Sequence, residues 1–174
     1  DTYDWTGILK RKAALAHEID ASWFIHHDAD EIRESPWENL NLRDAIYFVD
    51  QLGYSAIDFT VLDFQPVDNG YPAGSSLEEY FKYFKFGVQS ADFLQVKSWK
   101  NTGEMVDLTS TAGHTVEFAS RKVFPYKFLL KHYPIRSQDH GMKKILNERI
   151  SRWSTHERNL GWHTHYEAYH AKSR

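Results

Sequence analysis

The sequence predicts an α/β fold, a mixed sheet flanked by helices. Three features predict it. Apolar residues recur at helical spacing over residues 8–19 and again at Leu42, Ala45, Ile46, Val49 and Leu52. Runs of strand-forming residues alternate with these segments, at 22–27, 54–64 and 93–99. Turn-forming residues punctuate them, with Gly53 closing one segment and a Pro-, Gly-, Asn- and Ser-rich stretch over 65–76 opening the next.

Residues 8–19 gather Ile8, Leu9, Ala13, Ala16 and Ile19 near one face of a helix. The unbroken Trp23-Phe24-Ile25 run then reads as a short strand buried on both faces, as in a sheet covered by helices. Ser35-Pro36-Trp37-Glu38 has the chemistry of a helix start: Ser as N-cap, Pro in the first helical position and Glu closing a capping box. The helix is expected to run to Gly53, a C-terminal stop. Residues 54–64 alternate, with Ile57, Phe59 and Val61 on one face and Asp58 and Thr60 on the other. The aromatic-dense stretch 80–86 is read mainly as core packing. A strand over 93–99, a turn over 101–107 and a short strand over 115–118 follow, then an apolar segment over 128–133. Ser137 caps a long helix bearing Met142, Ile145, Leu146, Ile150 and Trp153, and a polar, His-rich tail covers 161–174.

A chain of 174 residues, 41% hydrophobic and 26% charged, has enough apolar surface for one domain with a real core. The formal net charge of −3 and the lack of a basic block speak against a nucleic-acid partner. No apolar run approaches the roughly 18 residues of a membrane span. Cysteine is absent, which removes disulfides and thiolate metal sites and fits a reducing, cytoplasmic setting. The aromatic share of 16% leaves Trp37, Trp99 and part of the 80–86 stretch as platforms for sugar rings. The chain opens on Asp1 rather than Met, so a fragment or processed product is expected.

The densest chemistry lies in His26-His27-Asp28-Ala29-Asp30-Glu31. Crowded carboxylates repel, and a divalent cation relieves the repulsion. Asp28 and Asp30, one residue apart past the end of a strand, can turn toward one oxygen-seeking ion, Mn²⁺ or Mg²⁺, which binds one or two carboxylates together with substrate phosphates. A capping or loop role is the competing explanation for the same residues.

Trp23-Phe24-Ile25-His26-His27-Asp28-Ala29-Asp30-Glu31 resembles the W-x-x-x-x-D-A-D-E segment of family 2 glycosyltransferases, which have the GT-A fold. Gly113-His114 and Lys131-His132-Tyr133-Pro134-Ile135-Arg136-Ser137 are similar to later segments of some bacterial members, and the resemblance spans residues 5 to 170. It implies a GT-A-like mixed sheet, with this chain as the C-terminal part of the fold. The acidic segment is 28–31, the acceptor-side part 54–136, and the last helix and tail 137–174. It implies a nucleotide-sugar donor, a carbohydrate or other hydroxyl acceptor, and inverting, metal-dependent transfer. Asp30 would contact the metal, Asp28 the ribose or the metal's water shell, and His132 would complete the site. The nucleotide-binding half that precedes the acidic segment in the family does not precede it here, so a missing segment or another chain would complete the nucleotide site.

An inverting transfer needs a base for the acceptor hydroxyl, and His114, Glu117 and Asp107 are the candidates. Lys131 and Arg136 flank His132 and could pair with diphosphate oxygens, or form ordinary salt bridges. His163 and His165 in the tail offer a further metal-binding pattern. A metal-dependent hydrolase built on the His and Asp cluster, or a non-enzymatic carbohydrate-binding module, are the alternatives.

Overall fold

The computed structural model describes residues 3–72, 74–88, 90–152 and 154–162. Helix α1 (Trp5–Glu18) begins where the Asp4 side chain accepts from the Gly7 amide, and its buried stripe is Leu9, Ala13 and Ala16. Strand β1 (Trp23–Ile25) leads through an acidic loop into β2 (Glu31–Glu34). Helix α2 spans Leu42–Gln51, and Gly53, at φ +78°, supplies the left-handed residue that ends it. β3 (Ala56–Phe64), α3 (Leu77–Tyr80), β4 (Phe84–Phe86), α4 (Ser90–Phe93) and β5 (Val96–Lys100) follow. β6 (Phe128–His132) precedes a last helical run: α5 (Gln138–Met142), π-helical Lys143–Arg149 and 3₁₀ Ile150–Arg152, with α6 (Thr155–Asn159) beyond it.

The strands order as β1-β5-β3-β6-β2, with β4 on β3 off this path. β3 and β6 run parallel and the remaining named pairs are antiparallel, so the sheet is mixed. Neighbouring residues of a strand face opposite ways, and β3 uses both sides. Ile57, Phe59 and Val61 pack with Phe128 and Leu130 under Ala45, Ile46 and Val49 of α2. Ala56 packs the other way, with Val96 and Trp99, under Leu9, Ala13 and Ala16 of α1. The two helices therefore cover opposite faces. A smaller cluster of Phe64, Phe81 and Tyr133 closes one end.

Several expectations change. Ser35 does not open a helix: its hydroxyl accepts from the Trp37 amide in a turn, and Asn41 caps α2 by accepting from the Asp44 amide. Trp37 packs against Phe48, Phe124 and Phe128, and that anchor holds the segment out of helical register. β1 is an edge strand paired only with β5 among the described strands, and Ile25 is 37% exposed rather than buried on both faces. Residues 115–118 form no regular strand; Glu117 makes one isolated bridge with Asp107, which the turn over 109–112 permits. Within 80–86, Phe81 is core but Tyr83, Phe84 and Phe86 are exposed, because β4 lies off the main path of the sheet. Trp99 is buried beneath α1 and presents no exposed ring face for a sugar. Ser137 caps its helix as expected, accepting from the His140 amide, but the helix widens at Lys143. Trp153 and residues 163–174, His163 and His165 among them, lie outside the described residues.

Candidate active site

The loop between β1 and β2 joins the two outer strands of the sheet. Strand register then brings distant residues to it. Asp63 of β3 and Glu31 of β2 are both the register partners of His132 in β6, so the three share one face of the sheet. Around this row the acidic segment divides into two groups of different character.

The first group is internally compensated. Glu31 is buried, and its two oxygens accept from Arg33 Nη2 at 2.5 Å and Lys97 Nζ at 2.9 Å. Lys97, its side chain 4% exposed, also donates to Asp28 Oδ2 at 3.1 Å. Two carboxylates thus face two permanent cations, and the desolvation of each charge is offset by a bonded partner. Arg33 Nη2 also donates to the His26 carbonyl at 2.6 Å, and its guanidinium lies 5.3 Å from the Phe59 ring centre. Its Nη1 contacts His27 Nδ1. A guanidinium only donates, so Nδ1 accepts and the His27 hydrogen resides on Nε2. Burial, and then the Arg33 charge, lower the His27 pKa. Burial likewise lowers that of His26, whose Nε2 sits 3.5 Å from Asp28 Oδ1. Burial pushes the Asp28 carboxyl up, but His26 and Lys97 outweigh it and hold the group well below the usual carboxylate range.

The second group joins Asp30, Lys144, His132 and Asp63. Asp30 Oδ2 accepts from Lys144 Nζ at 2.6 Å and lies 3.9 Å from His132 Nε2. His132 Nδ1 faces Asp63 Oδ1 at 3.0 Å. A carboxylate accepts, so Nδ1 carries a hydrogen, and Nε2 is turned to the Asp30 side. Carboxylate-backed imidazole is the arrangement that orients metal-ligating histidines. The Tyr133 amide donates to the Asp30 carbonyl at 2.8 Å and ties the loop to β6. Burial raises the Asp30 pKa, but the Lys144 hydrogen bond and the nearby positive charge bring it below its ordinary value.

The remaining candidates spread out. His114 is half-buried, Nδ1 3.0 Å from Gln95 Nε2, and burial followed by the Lys97 charge lowers its pKa to about 4. It is brought to the acidic loop by Gly113, at φ +87°, where a Cβ would stand 2.9 Å from His26 Cε1 and 3.0 Å from Leu9 Cδ2. Glu117 pairs with Arg121 at 2.8 Å. Asp107 Oδ1 accepts from the Thr109 amide and hydroxyl at 2.6 and 2.7 Å, a turn-stabilising role. Burial raises its pKa, but these bonds from Thr109 and those of Ser110 lower it overall. Lys131 alternates with His132 and so lies on the other face of β6, paired at 2.6 Å with both Glu34 and Glu78. Arg136 donates its backbone amide to His140 Nδ1 at 3.2 Å, and its buried Nε makes no hydrogen bond among the described residues.

Of the residues read from the sequence as metal ligands, Asp30 and His132 come together, whereas Asp28 is held in the compensated group. The partners that sequence reasoning missed are Lys97, Arg33, Asp63 and Lys144. A signal existed for Lys97, a charged residue inside an otherwise strand-like segment. Among the described residues, no group of three or more His, Cys, Asp or Glu side chains gathers around a common metal position. Asp30 with His132 is instead a two-side-chain donor set. Mg²⁺ or Mn²⁺ accepts such a set when water and phosphate oxygens supply the remaining ligands.

No known protein family, curated protein or solved structure matches the chain. No helix among the described residues is long and apolar enough to cross a membrane.

Proposed function

We propose that the chain carries the metal and diphosphate part of a glycosyltransferase. It would move a sugar from a nucleotide-sugar donor to an acceptor hydroxyl, with inversion, on a GT-A-like sheet. The observation that carries the reading is the pairing of Asp30 with His132, 3.9 Å apart, with Asp63 behind the imidazole. The sequence pattern names the same acid and the same histidine. When bound, a divalent ion would supply Lewis-acid charge to the leaving diphosphate.

Asp30 and His132 would hold that ion, and Asp63 keeps the imidazole in the ligating tautomer. Asp28, fixed by Lys97 and 31% exposed, offers a carboxylate oriented for a donor hydroxyl. For the transfer, the acceptor oxygen forms a bond to the sugar's anomeric carbon as the bond to the diphosphate oxygen breaks. The hydroxyl proton passes to a base. A candidate base is His114, whose neighbour Gly113 abuts His26 of the acidic loop.

The test is Mn²⁺ binding to the 174-residue chain, followed by loss of the free-ion electron paramagnetic resonance signal, with and without UDP. Asp30→Asn and His132→Ala are each expected to weaken binding by at least roughly tenfold, and Asp63→Asn by a similar factor through the ring orientation. Unchanged Mn²⁺ binding in Asp30→Asn, with UDP present, overturns the reading.

A further inference from the structure

Building on the reading above, we infer that Lys144 is a further ligand-binding residue of this site: its ammonium holds the cation's place on Asp30 and passes to the diphosphate when a divalent ion takes that place. Three observations carry this. Lys144 Nζ donates to Asp30 Oδ2 at 2.6 Å, and this is the oxygen that faces His132 Nε2 at 3.9 Å. An ion shared by Asp30 and His132 must therefore meet the ammonium at close range, where like charges repel. Second, the other partner of Lys144 is neutral, the Pro134 carbonyl at 2.8 Å. Its contact with Asp30 is thus its one carboxylate bond among the described residues, unlike Lys97, which binds Asp28 and Glu31, and Lys131, which binds Glu34 and Glu78. Third, Lys144 rises from the widened helical turns Lys143–Arg149 on a flexible stem, with its side chain 14% exposed. Rotating that stem moves the charge by a few ångströms without moving the helix.

The displaced ammonium would not be left uncompensated. A divalent ion that arrives with a diphosphate brings several anionic oxygens to the mouth of the same site, and an ammonium with three donors meets them as a charge-assisted partner. Lys144 would then serve twice: as counter-ion to Asp30 before binding and as diphosphate ligand after it.

The two roles give effects of opposite sign in one variant. Lys144→Met keeps the apolar stem and removes the charge. It is expected to bind Mn²⁺ alone about five- to tenfold more tightly than the native chain, because the competing cation is gone. In saturating Mn²⁺ it is expected to bind UDP about tenfold more weakly, because a charge-assisted bond is lost. Lys144→Arg, which restores a cation, is expected to return both constants toward native values. Spin-resonance titration reads the first constant, and calorimetry with UDP the second.

If Lys144→Met binds Mn²⁺ no more tightly, or UDP no more weakly, while Asp30→Asn still abolishes Mn²⁺ binding, the role of Lys144 falls and the metal site stands. If neither the native chain nor Lys144→Met binds Mn²⁺ in a manner sensitive to Asp30→Asn, the site reading falls and Lys144 with it. Circular dichroism of Lys144→Met and Lys144→Gln, matched to the native spectrum, ensures that a lost constant is not a lost fold.

Discussion

Replacing Lys97 with methionine removes the positive centre of the compensated group and keeps most of the side-chain volume. Lys97 is 4% exposed and donates to Glu31 at 2.9 Å and Asp28 at 3.1 Å. Each hydrogen bond to a charged group contributes about 1.5–3 kcal/mol, and breaking a buried ion pair from one side costs about 3–5 kcal/mol. The two figures describe overlapping effects, so the expected loss is about 3–5 kcal/mol, a large part of the roughly 5–15 kcal/mol that stabilises a domain. Adding Asp28→Asn removes the carboxylate whose ion-pair partner is lost with Lys97, and leaves Glu31 paired with Arg33. The double variant should therefore recover about 1–3 kcal/mol relative to Lys97→Met alone. Urea unfolding followed by circular dichroism measures both. With a slope of about 2 kcal/mol/M, the single variant should lower the midpoint by roughly 2 M. A loss below about 1 kcal/mol, or a double variant no more stable than the single one, would refute the argument that Lys97 neutralises a buried acid pair.

Two further outcomes bear on the neighbourhood of His114. Its folded pKa of about 4 lies below the value near 6.5 of an unfolded histidine, so the unfolded chain takes up the proton first as pH falls. This contribution to stability is complete above pH ~6.5 and is lost on the way down to pH ~4, amounting to about 2 kcal/mol between pH 7 and 5. His114→Gln should flatten that part of the stability–pH curve; an unchanged slope would place the titration elsewhere. Gly113→Ala meets both a left-handed backbone and a Cβ position 2.9 Å from the His26 ring. It is expected to cost about 1–3 kcal/mol in chemical unfolding, and a neutral result would show that the 109–114 turn can move away from His26.

How much was legible in the sequence follows the range of each interaction. Leu9, Ala13 and Ala16, and Ala45, Ile46 and Val49, are buried as their spacing predicts, because helical periodicity is a local property, whereas Ile8, Ile19 and Leu52 of the same stripes are exposed. The start of α2 was less legible. Ser35 and Asn41 both carry capping chemistry, and the choice fell to Asn41 because Trp37 is anchored in the core by aromatic contacts made far along the chain. The position of β1 was not legible either. Trp23-Phe24-Ile25 reads as central, but whether a strand lies inside or at the border of a sheet depends on which strands pair with it.

The sequence by itself determined an α/β chain, the positions of α1, β1 and β3 to within a few residues, and a carboxylate-rich turn after the first strand. It did so because apolar period and turn chemistry act between near neighbours. Only the tertiary structure decided which charges those carboxylates meet. Lys97 reaches Asp28 across 69 positions of the chain, and Lys144 reaches Asp30 across 114. Such pairs are contacts through space, set by strand register and helix docking. They separate Asp28 and Glu31, which share Lys97, from Asp30, which meets Lys144 and His132.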